Sequence, residues 1–274
     1  MPITRTRAWC WKITVSRLRT EPFAPEDLSL DAFLGGRVTI AQPVSGYRAG
    51  VDPVLLAASV PARAGETVLD LGCGSGVAAL CVGARVAAVR LVGLEVQPGY
   101  SRLARENAAR NGLAMEVVTG DLAQMPEGLR ARQFDHVILN PPFFDRARST
   151  PAHDAGREGA MGEALPLDRW VAAAARRAAP GGHVCAIHRA ERLADLLGAM
   201  AARLGSIEVL PLIPRRARAA RLVLVRGRKG GRAALRLCDG WLMHGGARHE
   251  RDAETYTAET ASVLRDAAPL PFCR

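Results

Sequence analysis

From residue 66 onward the chain alternates short apolar runs with stretches that carry one polar face, and the first run ends in a cluster of glycines. Thr67-Val-Leu-Asp-Leu71 leads directly into Gly72-Cys73-Gly74-Ser75-Gly76, after which residues 76–85 read as a helix. Residues 91–95, 116–119 and 135–139 read as three more strands, and a helix over 101–111 is closed by Gly112, a common residue just past a helix end. The pattern continues with a helix over 167–179 stopped by Pro180-Gly181-Gly182, a strand over 183–188, a helix over 191–204 and strands over 207–213 and 222–225. Parallel strands need a crossover between them, so this order predicts a mostly parallel sheet with helices on both faces. Such sheets bind ligands beyond the carboxyl ends of their strands, and the residues just after each strand are the ones to read for function.

The segment before residue 66 is less regular. The first 20 residues hold five cations, no acid and no apolar core of the kind a secretory signal needs, and Pro22 and Pro25 follow. Residues 1–30 are expected to form a poorly ordered lead-in, with one domain over 31–274. Residues 34–40 suggest a short strand. Asp52 is expected to cap a helix whose first position is Pro53. The spacing of the six cysteines supports neither a zinc site nor a disulfide framework, so no metal is expected and a cytoplasmic location is the default. No apolar run approaches the length of a membrane span.

The glycine loop narrows the ligand. Its G-x-G-x-G spacing lacks the third glycine of a dinucleotide loop, because Val77 stands there, and no Lys-Ser/Thr follows to make a phosphate loop. Asp70, just before the loop, repels a pyrophosphate but suits a cationic amino-acid moiety such as the methionine part of S-adenosylmethionine. Glu95, ending the second strand, is placed to accept the ribose hydroxyls of a nucleoside, and Asp121, following the third, to accept from an adenine amino group. Asp70, Gly72, Gly74, Gly76, Glu95 and Asp121 are the candidate cofactor residues from this reading.

The fourth strand ends in Asn140-Pro141-Pro142-Phe143-Phe144, which resembles the [ND]-P-P-[YFW] motif of amino methyltransferases. An exocyclic amino nitrogen is nearly planar and must pyramidalise to attack a methyl group. Acceptors at the Asn140 side chain and the Pro141 carbonyl favour that change, the prolines hold them in place, and Phe143 stacks on the base. Asn140, Pro141, Pro142 and Phe143 are therefore the candidate catalytic residues, with Asn140 also facing the cofactor.

From about residue 34 to residue 270 the chain resembles the bacterial tRNA-valine adenine-N6 methyltransferase family. The resemblance is carried by residues 50–56, 70–76, 93–98 and 140–144, and later by His188-Arg189, Arg192-Leu193, Ala220-Arg221 and Tyr256-Thr257-Ala258-Glu259. Arg48-Ala49-Gly50-Val51-Asp52 stands where the family carries Lys-x-Gly-Thr-Asp, which keeps Asp52, a cofactor residue by that resemblance, and loses a hydroxyl. The resemblance implies a Rossmann-like class I methyltransferase with a doubly wound, mostly parallel seven-stranded sheet, S-adenosylmethionine as cofactor and N6-methyladenosine in tRNA as product.

The net charge of +10 bears on the partner. Arg215, Arg216, Arg218 and Arg221 open a run of cations that reaches Arg236 without an acid, and phosphate neutralisation is its obvious use. RNA is the expected partner, with those four arginines as candidate contacts. Two alternatives remain open at this stage: a glutamine-N5 methyltransferase acting on release factors, and a non-catalytic RNA-binding relative.

Overall fold

The alternation resolves into one open sheet in a computed structural model that describes residues 19–46, 48–142, 165–246 and 255–273. Its long strands are β3 (Thr67–Leu71), β4 (Arg90–Glu95), β5 (Met115–Thr119), β6 (Phe134–Leu139), β7 (Ala178–Arg189), β8 (Gly205–Ile213) and β9 (Leu222–Arg228), and the short strands β10 (Arg236–Leu237) and β11 (Trp241–Leu242) flank β8. The spatial order is β10-β8-β9-β7-β6-β3-β4-β5. Strands β3 to β7 run parallel, and β9 is antiparallel to both β7 and β8.

Both faces of the sheet are covered, as its continuous apolar strands require. Successive side chains alternate, so Val68, Ile138 and Cys185 join one core while Leu69, Leu71, Val137 and Leu139 join the other. Helices α1 (Asp52–Ser59) and α2 (Val77–Arg85) pack into the first core. Helices α5 (Leu167–Arg177) and α6 (Leu193–Ala201) pack into the second. Between them in sequence lie α3 (Pro98–Arg110) and the single turn α4 (Glu127–Arg130), and α7 (Ala258–Arg265) closes the chain.

An N-terminal hairpin is the part the apolar pattern did not disclose. Strand β1 (Leu28–Phe33) pairs antiparallel with β2 (Val38–Pro43), and Leu34–Gly36 is a 3-10 turn, so the strand expected over 34–40 is displaced toward the C-terminus. The free edge of β2 is completed by side chains. Asn111 accepts from the Thr39 amide (2.7 Å) and donates to the Thr39 carbonyl (2.8 Å), while Asn107 does the same with Ala41 (2.8 and 3.0 Å). Residues four apart share one helix face, so the two amides imitate a neighbouring strand. Asn107 also donates to the Ser75 carbonyl at 3.0 Å, which ties the hairpin to the glycine loop.

Several sequence expectations need correction. The folded chain begins before residue 31, since Arg19 lies 3.9 Å over the Phe23 ring, Phe23 meets Tyr100 edge-on and the Arg19 carbonyl accepts from Gly99. Residues 1–18 lie outside the described residues. Val51 is the N-cap of α1, and Asp52 is its first residue. Helix α5 ends at Arg177, and the Pro180-Gly181-Gly182 stretch belongs to the extended start of β7. Cys238 and Cys273 form a disulfide with Cα atoms 5.0 Å apart, which cysteine spacing along the chain did not show. It joins the β10–β11 connection to the C-terminal tail, where Trp241 also donates to the Thr260 hydroxyl. No helix among the described residues is long and apolar enough to cross a membrane.

Asn107→Leu should destabilise the protein by about 3 kcal/mol or more, because three buried backbone groups lose partners at once. Asn111→Ala, half-buried and reachable by water, should cost about 1 kcal/mol. Urea titration of the two variants measures the difference, and equal costs would contradict the strand-mimic reading.

Candidate active site

The carboxyl edge of the sheet brings the candidate residues into a row. Leu71 pairs with Leu139 and with Leu94, and Glu95 pairs with Thr119. Reading along the edge, the β8–β9 loop comes first, then Arg189 at the end of β7, then Asn140, the glycine loop, Glu95 and Asp121. The strand order reverses between β3 and β6, the place where open α/β sheets leave a crevice.

The glycine loop is folded by main-chain bonds and by two acids. Gly72 and Cys73 both donate to the Leu94 carbonyl, at 2.7 and 3.1 Å. Gly72 has φ of +70°, and a Cβ there would stand 2.7 Å from the indole of Trp170, so no other residue fits. Glu95 accepts from the Gly74 amide through one oxygen and from the Gln97 amide through the other, both at 2.9 Å. Asp70 accepts from Ala79, in the first turn of α2, at 3.2 Å.

Both carboxylates are buried, Asp70 to 2% exposure and Glu95 to 6%. Burial pushes the Asp70 carboxyl up to about 7, with the Glu95 charge adding to the rise and the Ala79 amide opposing it. Burial likewise raises Glu95 against the amides of Gln97, Gly74 and Val96. Among the described residues no cation offsets either acid. Two desolvated acids beside a glycine turn form an electronegative niche that fits a ligand carrying positive charge and hydroxyl donors.

Asp52 and Asp121 are the remaining candidate acids. Burial raises Asp52, and the Arg189 guanidinium holds it back down. Asp121 accepts from the Ala123 amide at 2.8 Å within its own turn, and Gly120 just before it donates to the Glu95 carbonyl at 2.9 Å. Arg48, in the altered segment before Asp52, bonds Asp31 at 2.6 Å and Ser29 at 2.7 Å, so it braces the hairpin.

Asn140 follows β6 with its side-chain Oδ1 buried and, among the described residues, without a hydrogen-bond partner. An orphaned buried acceptor is costly, and one at this edge is a candidate contact for a substrate amino group. Pro141 is buried and Pro142 half-buried beside it. Phe143 lies outside the described residues. Trp170, which packs on Gly72, escaped the sequence reading because a single aromatic at the start of an amphipathic helix carries no signal beyond core packing.

The four candidate RNA contacts share the edge but differ in their employment. Arg215 donates to the carbonyls of Gly245 and Gly246 and to the Thr255 hydroxyl, tying those two parts of the chain together. Arg216, Arg218 and Arg221 are exposed on the β8–β9 loop. The rest of the run is elsewhere: Arg228 pairs with His183 at the opposite, amino edge of β7. Glu208 of β8 takes Arg226 (3.0 Å from its Nε) and Arg236 (3.3 Å), so the run is acid-free along the chain and not in space. The Tyr256-Thr257-Ala258-Glu259 piece has a structural task, since Thr257 caps α7 by accepting from Thr260.

Comparison with known proteins settles the lineage. Residues 49–156 match the methyltransferase small domain. The chain is 31% identical over 185 residues to a tRNA1(Val) (adenine(37)-N6)-methyltransferase of Porphyromonas gingivalis, covering 61% of this chain and 68% of that protein. The chain belongs to this family. A Yersinia enterocolitica protein of the same name is 35% identical over 121 residues, or 40% of this chain and 48% of that one. Among solved structures, a predicted O-methyltransferase of Agrobacterium tumefaciens superposes with a TM-score of 0.65 at 25% identity, covering 80% of this chain and 98% of that one. A Pyrococcus furiosus methyltransferase shares the fold, with a TM-score of 0.52 at 17% identity over 70% of this chain and 89% of that one. The chain is thus a Rossmann-like methyltransferase that uses S-adenosylmethionine.

Asp70 generates a prediction with a definite sign. Its folded pKa of about 7 lies above the unfolded value, so the folded state keeps a proton that the unfolded state releases. Stability contributed at this position is full below about pH 4 and is lost as pH rises toward 7. Asp70→Asn should therefore raise the melting temperature of the ligand-free protein at pH 8 and leave it unchanged near pH 4. The same variant should bind S-adenosylmethionine more weakly at pH 8, and wild-type affinity should climb between pH 6 and 8. Calorimetric scans and titrations at three pH values check both halves.

Proposed function

We propose that this methyltransferase acts on the exocyclic N6 of an adenine in tRNA, as the names of its relatives state for them. The observation that carries the reading is the unpartnered, buried Oδ1 of Asn140 one strand away from the glycine loop.

The residues divide the work by position. Glu95 and Asp121 face the nucleoside part of the cofactor, and the Asp70 carboxylate with the turn at Gly72, Gly74 and Gly76 faces its amino-acid part, with Asp52 at the rim. Glu95 keeps unused lone pairs after accepting from Gly74 and Gln97, which suits it to ribose hydroxyls. When bound, S-adenosylmethionine supplies an electrophilic methyl group on a cationic sulfur. Asn140 Oδ1 and the Pro141 carbonyl accept the two N–H bonds of the target amino group and turn its lone pair toward the donor. Because Pro141 and Pro142 fix the backbone, these acceptors need no rearrangement as charge develops. Phe143 is proposed to stack on the base. The methylated nitrogen is acidic, so no dedicated base is required to remove its proton. The target base must be unstacked to enter.

Arg216, Arg218 and Arg221 are proposed as RNA contacts, since they are exposed on the loop at the same edge as Asn140. They neutralise phosphates and leave base choice to the pocket. A cytoplasmic location accords with such a substrate.

Asn140→Ala should lower methyl transfer to tRNA by about a hundredfold or more while cofactor affinity stays within about threefold. Single-turnover assays paired with calorimetry test this, and unchanged turnover would reduce Asn140 to a turn residue. Replacing Arg216, Arg218 and Arg221 by Gln should reduce the slope of log affinity against log salt by about two to three. An unchanged slope in filter-binding titrations would remove the loop from the RNA interface.

A further inference from the structure

Three guanidinium groups meet on the face of the sheet covered by α5, at a place the methyl-transfer reaction does not use. Arg130 ends α4, and Arg176 and Arg177 end α5. Together with Leu122, Gln124 and Met125 they line a cavity of about 370 Å³. Arg177 is held by its donations to the carbonyls of Leu129 (3.3 Å) and Arg132 (3.1 Å). Arg130 and Arg176 are exposed.

Among the described residues the charges there are unbalanced. Burial lowers the pKa of Arg177, and the charges of Arg176 and Arg130 lower it further, with no described carboxylate acting against them. The contrast with Arg132 is direct, since that neighbour reaches both oxygens of Glu116 at 2.8 Å. Cations in the last turn of α5 complement its dipole. That accounts for Arg176 and Arg177 and gives no reason for Arg130 to join them from another element across a polar cavity.

We propose that the cavity between α4 and α5 is a phosphate-binding site formed by Arg130, Arg176 and Arg177, and that the phosphate belongs to the RNA backbone. The anion assignment stands on the cavity and its three guanidiniums, and the RNA source rests on the reading of the substrate given above. Leu122, Gln124 and Met125 follow Asp121 at the β5 end of the carboxyl edge, while the three arginines lie toward the amino edge, where Arg177 directly precedes Ala178, the partner of Phe134 at the start of β6. Arg216, Arg218 and Arg221 stand on the carboxyl edge, beyond β7. An RNA that touches both places must reach from the carboxyl edge down the face covered by α5, which a folded RNA does and a single extended strand along the edge does not.

The test replaces Arg130 and Arg176 by Gln and leaves Arg177, whose bonds hold the α4 turn. In the wild type, inorganic phosphate should raise the melting temperature more than chloride of equal ionic strength, and the double variant should lose that difference. The variant should bind S-adenosylmethionine as the wild type does, which establishes that it is folded. Its tRNA salt slope should fall by about one. Loss of the phosphate effect with an unchanged tRNA slope would overturn the RNA source and make the ligand a small phosphate compound. A wild type indifferent to phosphate would overturn the site itself. Persistence of the phosphate effect in an enzyme found not to methylate tRNA would leave the anion site standing and remove the substrate reading alone.

Discussion

The parallel pairing of β3 with β6 is the constraint on which the site depends. Leu71 opposite Leu139 sets the ends of two strands level, and each strand then delivers a different chemistry at the same height. From β3 come Asp70 and the glycine turn, and from β6 come Asn140 and its prolines. Shifting the pairing by one residue would turn the fully buried Val137, Ile138 and Leu139 to the wrong cores, so apolar packing on both faces fixes the geometry of a polar site.

Electrostatic cost is concentrated where the ligand belongs. Among the described residues, two buried acids without a cation and one buried amide oxygen without a donor are each unfavourable in the isolated protein. In the proposed reading, a cationic nucleoside cofactor and the target amino group offset all three. The opposite arrangement holds for arginine. Where the chain needs structure it spends guanidiniums on acids or carbonyls, as at Arg226, Arg215 and Arg48. Where it leaves them exposed at the carboxyl edge, polyanion binding is the use proposed for them.

The core of the fold was legible because periodicity reports burial, and burial on both faces of a parallel sheet is nearly continuous. The candidate site was legible for the same reason: its acids, glycines and Asn140 lie at or just beyond the strand ends that the apolar runs mark. The hairpin was not, because β2 is completed by Asn107 and Asn111 rather than by another strand, and amides on a polar helix face leave no apolar trace. The Cys238–Cys273 bond and the Trp170–Gly72 contact join residues distant in sequence, which local patterns do not record. The charge run misled in part because sequence adjacency hid Glu208 from view and the sheet carries β9 away from the catalytic edge.

The most direct measurement is the chemical position of the transferred methyl group. The purified enzyme would be incubated with methyl-deuterated S-adenosylmethionine, unmodified tRNA and release-factor protein together, followed by mass spectrometry of nucleosides and peptides. The account predicts deuterated N6-methyladenosine from the tRNA and no labelled glutamine. Label on a release-factor glutamine with none in the nucleosides would contradict it.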